Sequence, residues 1–371
     1  MPPKRTILHI IANLDYGGAA SQMHRLAVWQ QANGFDVHIR AGIGGPLEDE
    51  LRDSSLNVES VEYRGPFDLP ALWKLRREVK RLKPAVIHAW GDNVHALLAV
   101  ARVAAGNASV IVTLLRPNPR KTRFERALEN CNYDRCRRIV VQSVAHRDLL
   151  LGWDYPPEKV LAIPGGTPPS SQSRITRRQL LDMLDLPQHS RLAAAIGRLE
   201  LRKQLKDAIW AADLLKVIRD DVHLLIIGDG PHRDRLHKFR DQVEIRDKVH
   251  FLGENSSDWR GDVADLLPHL DVFWSASSHE GHSAATLEAM AAGVPVVAAD
   301  IPGNRELIEP DATGYLFPVG DRAGLAQATN RLLNDADLAK RIGTAARQHV
   351  ESNFSAEKML DAYAAVYEEL P

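Results

Sequence analysis

The sequence predicts an α/β protein built from two doubly wound parallel-sheet domains. Three observations point there. Short apolar runs alternate with helix-compatible stretches along nearly the whole chain, the pattern of parallel strands joined by crossover helices. A segment dense in Pro, Gly and Ser interrupts the alternation at 163–171, as a linker should. The length, 371 residues, exceeds what one hydrophobic core usually holds, so two domains are the default.

Taken in order, the first half opens with a buried strand at 6–12, a turn through Gly17-Gly18, a helix ended by Gly34 and a strand at 35–41. Further strands are expected at 85–90, 109–115, 138–143 and 160–163. Paired glycines let backbone amides approach a ligand closely. Gly17-Gly18 lacks the G-x-G-x-x-G spacing, and no G-x-x-x-x-G-K-[ST] occurs, so dinucleotide and P-loop readings are weak; alone, such a pair is more often a mere tight turn. Beyond the linker, strands are expected at 191–196, 224–227, 249–253, 271–275 and 294–299, and helices at 284–292, 323–333, 337–350 and 356–370.

Composition excludes several classes. A hydrophobic content of 44% with 26% charged residues describes an ordinary globular protein. The net charge of −1 creates no global field for nucleic acid or membrane. Two cysteines, Cys131 and Cys136, cannot build a disulfide framework and match no zinc spacing, which favours a reducing cytoplasm. No apolar run approaches the roughly 18 residues of a membrane span. The start, 4–12, is a first strand rather than a signal peptide, because its apolar part is short, contains His9 and runs into Asp15.

One stretch carries chemistry, from Ser278 to Ala298. Ser283 is a good N-cap, Ala284 onward tolerates a helix, Gly293 stops it and Pro295 prevents its resuming. The loop before the helix leaves the carboxyl end of a strand, where open parallel sheets bind ligands. Glu280 lies in that loop. Glu288 sits inside the helix and leans toward its N-terminus. The amides at Ser283, Ala284 and Ala285 form an anion site at the positive helix end. Carboxylates for hydroxyls and amides for a phosphate suit a phosphorylated sugar. The plain alternative is a surface loop with a solvated glutamate, against which Leu287, Met290 and Ala291 leave Glu288 on a largely apolar helix. His279-Glu280-Gly281-His282 is one residue short of His-Glu-x-x-His and lies in a loop, so no metal is expected there.

Glu280-x7-Glu288, with Leu287-Glu288-Ala289-Met290-Ala291-x-Gly293-x-Pro295-Val296-Val297-Ala298, resembles the signature of the family-4 (group 1) retaining glycosyltransferases of the GT-B fold. Gly17-Gly18, His88-Ala89, the linker, Gly197-Arg198-Leu199 with Lys203, Gly228-Asp229-Gly230 and Phe251-Leu252-Gly253 follow in the family's order. The resemblance implies two Rossmann-like domains facing across a cleft. Residues 1–167, with 356–371 crossing back, would form the acceptor-side domain, and 168–355 the donor-binding domain. It implies transfer of a hexose from a nucleotide-diphosphate sugar to an acceptor hydroxyl, with retention, without a metal and without a cofactor. Arg198 and Lys203 would grip the diphosphate, Glu280 the sugar hydroxyls and Glu288 the ribose. Gly17, Gly18, Gly228, Phe251, Gly281, His282, Ser283, Ala284 and Ala285 would complete the donor site. The physical reason for the cations is direct: the leaving nucleoside diphosphate gains negative charge in the transition state. Arg202 rivals Lys203 for that role, and Lys206 is a weaker rival.

Two departures stand out. Trp90 occupies a position where the family often has a histidine, and Thr113-Leu114-Leu115-Arg116-Pro117 lacks the histidine that usually touches the donor sugar. Arg116 is either the replacement cation or a solvated loop residue. Partners by resemblance are the donor and a carbohydrate or lipid-linked acceptor. Basic residues cluster at Lys74, Arg76, Arg77, Lys80, Arg81 and Lys83, beside Leu72 and Trp73, and again at Arg116, Arg120, Lys121, Arg123 and Arg126. The first cluster fits a peripheral contact at the inner membrane face, although a solvated helix face is the readier explanation of it. The second would suit an anionic acceptor. Two other readings use the same fold: a nucleotide-sugar-binding protein without transfer, and a sugar-nucleotide epimerase.

Overall fold

The computed structural model describes residues 5–15, 17–65, 67–91, 94–115, 117, 129, 131–253 and 262–370. Arg116, Arg120, Lys121, Arg123 and Arg126 lie outside them. The chain divides into two compact units, one comprising Met1–Gly165 with Ala356–Pro371 and the other Gly166–Ser355.

Unit 1 is built on a seven-stranded sheet, all of whose pairings are parallel. Its strands are β1 (Thr6–Asn13), β2 (Asp36–Ile43), β3 (Asn57–Ser60), β4 (Val86–Trp90), β5 (Ser109–Leu114), β6 (Arg138–Val141) and β7 (Val160–Ala162), in spatial order β3-β2-β1-β4-β5-β6-β7. Unit 2 carries a six-stranded parallel sheet of β8 (Arg191–Ile196), β9 (Val222–Ile227), β10 (Val249–Leu252), β11 (Val272–Ser275), β12 (Val296–Ala299) and β13 (Tyr315–Phe317), ordered β10-β9-β8-β11-β12-β13. Each sheet grows outward from its first strand and then reverses, so each has a switch point: β1/β4 in unit 1 and β8/β11 in unit 2. Crossover loops diverge there and leave a crevice at the strands' carboxyl ends.

The strands read as near-continuous apolar runs because helices cover both sheet faces; every residue of β4, β9, β11 and β12 is buried. Each unit has two core clusters. The expected strands are present with ends shifted by a few residues. Three-residue β13 and the polar β3 were not foreseen.

The last helix, Ala356–Glu368, belongs to unit 1 and is fastened to it by buried polar side chains as well as by Met359, Tyr363 and Val366. The Trp90 indole N–H donates to His9 Nδ1 over 2.9 Å, so His9 carries its proton on Nε2 and donates to Gln30 Oε1 at 2.7 Å. His88 Nδ1 meets the Tyr367 hydroxyl at 2.8 Å, and its Nε2 meets Thr113 Oγ1, also at 2.8 Å. Thr113 Oγ1 lies 3.0 Å from the Tyr363 hydroxyl. The His88 ring stacks on Trp90 with centroids 4.3 Å apart. Trp90 therefore works as a structural donor in this chain, its indole N–H buried on His9. Burial lowers His9 to about 4 and also pushes His88 well down, holding both neutral.

Two expectations follow. Tyr367→Phe leaves one His88 nitrogen buried without its partner and should cost about 1–3 kcal/mol in denaturant unfolding. His9 binds a proton more readily unfolded, near 6.5, than folded, near 4. Its contribution is therefore complete above pH 6.5 and is lost as pH falls toward 4, by roughly 3 kcal/mol in total. His223 in unit 2, also lowered to about 4 by burial, adds a loss of the same sign. Unfolding free energies flat between pH 5 and pH 7 would contradict this.

Candidate functional site

At the switch point of unit 2 two loops emerge side by side, one after β8 and one after β11. The first begins at Gly197, whose φ of +139° suits glycine, and closes in a short 3-10 turn at Leu201–Lys203. A Cβ on Gly197 would lie 3.0 Å from Lys203 Cε and 3.1 Å from Nζ, so the lysine chain runs across the bare glycine backbone. Gly228, after β9 at φ +131°, is closer still: its Cβ would sit 2.4 Å from the Gly197 carbonyl oxygen. Gly253, after β10, packs on Gly228 in the same way: its Cβ would sit 2.7 Å from the Gly228 carbonyl oxygen. Three neighbouring strands thus end in glycines in register, and their backbones draw together where side chains would hold them apart.

The second loop carries Glu280, whose side chain is only 8% exposed. Lys203 Nζ lies 2.7 Å from Glu280 Oε1, and Arg202 Nη1 contacts the same oxygen. Arg202 Nε also pairs with Glu200 Oε2 at 2.9 Å, and Glu200 Oε1 holds Arg198 Nε at 3.0 Å. The result is an alternating chain, Arg198–Glu200–Arg202–Glu280–Lys203, with three cations to two anions. The Ser278 amide fixes the two loops together by donating to the Arg202 carbonyl at 2.8 Å. Arg198, at the outer end of the chain, is the most solvent-exposed of the five.

After Glu280 the polypeptide passes Gly281 and His282 and enters the helix Ala284–Ala291. Ser283 caps it, accepting from the Thr286 amide. The Ala284 and Ala285 amides thus lie at the positive end of the helix. The loop rests on Gly303 in the helix Pro302–Leu307, where a Cβ would be 2.3 Å from the Gly281 carbonyl oxygen and 2.5 Å from that of Glu280. His282 is buried edge-on against Phe354, with ring centroids 5.4 Å apart, and its Nε2 meets Glu306 Oε2 at 3.1 Å. It thus anchors the loop from beneath. Glu288 is half-buried one helical turn beyond the cap.

Of the residues singled out from the sequence, Arg198, Lys203, Glu280, Gly281, His282, Ser283, Ala284, Ala285 and Glu288 all lie on these loops and the helix that the second one feeds, and Gly228 lies beside them at the end of β9. Phe251 does not present its ring there. It belongs to the core of unit 2, stacked on His237 with centroids 4.0 Å apart and beneath the Arg240 guanidinium. Gly17 and Gly18 lie in unit 1, where Gly18 starts the helix Gly18–Ala32 at the carboxyl end of β1, the corresponding switch point. Arg116 falls outside the described residues. Reading the sequence missed Gly303 and Glu306. The Pro302-Gly303 pair after β12 was the available signal for the former; nothing marked the latter. Among the described residues no group of three His, Cys, Asp or Glu side chains is arranged to hold a metal ion.

Gly228→Ala combines strained φ with a backbone collision and should destabilise unit 2 by about 3 kcal/mol. The measurement is denaturant unfolding, and a loss below about 1 kcal/mol would show that the strand ends are not held this closely.

Comparison with known proteins gives two family matches in tandem. The family Glycosyltransferase Family 4 matches residues 16–171, and Glycosyl transferases group 1 matches 177–349. The N-acetyl-alpha-D-glucosaminyl L-malate synthase of Bacillus anthracis is 32% identical over 190 residues, covering 51% of this chain and 48% of that protein. That match spans about half of each. The lipopolysaccharide core biosynthesis glycosyltransferase LpsE of Rhizobium meliloti is 27% identical over 290 residues, covering 78% of this chain and 77% of its own. Among solved structures, HepE of Anabaena in complex with UDP-glucose superposes with a TM-score of 0.86 at 20% identity, over 98% of this chain and 100% of that one. That likeness establishes the GT-B fold class of two Rossmann-like domains.

Proposed function

The chain belongs to the group 1, family 4 glycosyltransferases, which act on nucleotide sugars, and from that premise we propose that it transfers a hexose to an acceptor hydroxyl with retention of configuration and without a metal. The observation that carries this reading is the Lys203–Glu280 contact of 2.7 Å at the switch point of unit 2, beside the capped N-terminus of Ala284–Ala291. A diphosphate would find Lys203, Arg198 and the amides of Ser283 to Ala285 within one crevice. Its charge would draw Lys203 from Glu280, which would release the carboxylate toward the sugar hydroxyls. Glu288 would take the ribose hydroxyls from the next turn of the helix.

In the reaction the bond between the anomeric carbon and the diphosphate oxygen breaks, and the acceptor oxygen bonds to that carbon from the same face. The acceptor proton passes to a departing phosphate oxygen, so no protein base is required. Arg198 and Lys203 stabilise the charge that accumulates on the leaving group, and that charge is greater in the transition state than in the bound donor. HepE was solved with UDP-glucose, and the relatives named above include a lipopolysaccharide core transferase. They support a UDP-sugar as the first donor to try and a carbohydrate or lipid-linked acceptor. No cofactor enters this scheme, and the expected setting is the cytoplasm.

Screening UDP-, GDP- and ADP-hexoses by thermal shift and then by product analysis tests the reading. Lys203→Ala should lower kcat about 10²–10³-fold. Activity should survive chelators, and the product should keep the donor's anomeric configuration. Tight binding of an intact donor with no hydrolysis or transfer to any acceptor would favour the binding-protein reading, and isomerised nucleotide sugar without acceptor the epimerase.

A further inference from the structure

We propose that unit 1 docks on an anionic lipid bilayer through the outer face of the helix Leu69–Leu82 and the residue leading into it. This helix buries Ala71, Leu75 and Val79 at a spacing of four, so its opposite face is turned to solvent. Large apolar side chains stand there instead of polar ones. Phe67, Leu69 and Trp73 are 83%, 71% and 62% exposed. The neighbouring helix His95–Ala105 extends the patch with Val103 and with Val100, which joins Leu69, Leu72, Trp73 and Arg76 around an open groove of about 540 Å³.

The charge of the same helix is one-sided. Between Leu69 and Leu82 stand Lys74, Arg76, Arg77, Lys80 and Arg81 against a single acid, Glu78. Glu78 is already bonded to Arg40 at 3.2 Å and to Arg81 at 2.8 Å. Asp68, the acid just before the helix, is engaged in capping it through the Ala71 amide. In a chain whose net charge is −1, this positive density is local. Apolar residues occupy the N-terminal end of the exposed face, and cations follow within two turns. Aromatic rings settle at the headgroup level of a bilayer, and adjacent guanidinium and ammonium groups take lipid phosphates. Because the helix's buried stripe is committed to the protein core, the contact is a rigid protein face rather than a peeled-off amphipathic helix. No helix among the described residues is long and apolar enough to cross a membrane, so this contact would be peripheral. The surface belongs to unit 1 and the transfer residues to unit 2, and either reading can fail without the other.

The test is co-sedimentation of the full chain with vesicles of phosphatidylcholine alone and of phosphatidylcholine with added phosphatidylglycerol. Binding is expected only to the anionic vesicles, weakening as salt is raised. Arg76→Glu with Arg77→Glu, and separately Leu69→Ser with Trp73→Ser, should each weaken it about tenfold or more. Thermal melts and nucleotide-sugar binding of both variants should match the parent, which separates lost docking from lost folding. The proposal is overturned if anionic vesicles do not retain the protein, or if both variants bind them as the parent does. It is also overturned if the patch variants abolish self-association while vesicle binding is absent, because the face would then serve a second copy of the chain.

Discussion

The ion-pair chain from Arg198 to Lys203 is the constraint around which the second unit is arranged. A carboxylate as covered as that of Glu280 is stable only with cations in direct contact, because an unpaired charge at that depth would cost several kcal/mol. Arg202 and Lys203 supply them from consecutive positions of one short turn. That turn reaches the carboxylate because β8 ends in a glycine over which the lysine can lie, and because β9 and β10 end in glycines that close up behind it. Order of strands does the rest: β8 and β11 are neighbours in the sheet though far apart in sequence, so their loops meet. Function in this picture rests on exchange. The cations that neutralise Glu280 in the free protein are those a diphosphate would attract.

Unit 1 solves a different problem, the fastening of a helix contributed by the far end of the chain. Apolar packing alone would hold Ala356–Glu368 loosely in register. The hydrogen bonds that link Tyr363 with Thr113 and Tyr367 with His88 fix its rotation, because both hydroxyls are held deep in the unit. Such a hydrogen-bonded polar cluster adds specificity where an unsatisfied one would be costly. Its weakness is acid, since two buried imidazoles must stay neutral for it to persist.

Much of this was legible in the residues. Apolar runs flanked by Gly and Pro marked most of the strands, and Ser283 and Gly293 marked the ends of the helix that carries Glu288. What escaped was decided by tertiary context. Asn57–Ser60 pairs as an edge strand with too few apolar residues to announce itself, and Tyr315–Phe317 is only three residues long. Phe251 read as a ligand contact because its position in the chain suited one, yet its ring fills the core beside His237. Spacing left Arg202 and Lys203 as rivals for one role. In the folded unit both reach Glu280, and only Arg202 also bridges to Glu200. Trp90 looked like a lost histidine; its indole N–H instead satisfies His9, a pairing no local pattern could reveal.

Calorimetric titration of nucleoside diphosphates, with no sugar attached, into the parent protein and a Glu280→Gln variant bears most directly on the proposed exchange. Removing the carboxylate frees Lys203 and Arg202, so the variant should bind the preferred diphosphate more tightly, by about tenfold for 1.4 kcal/mol of relieved competition, while transfer activity falls. Equal or weaker diphosphate binding by the variant would show that Glu280 and the phosphates do not share those cations, and the exchange would have to be abandoned.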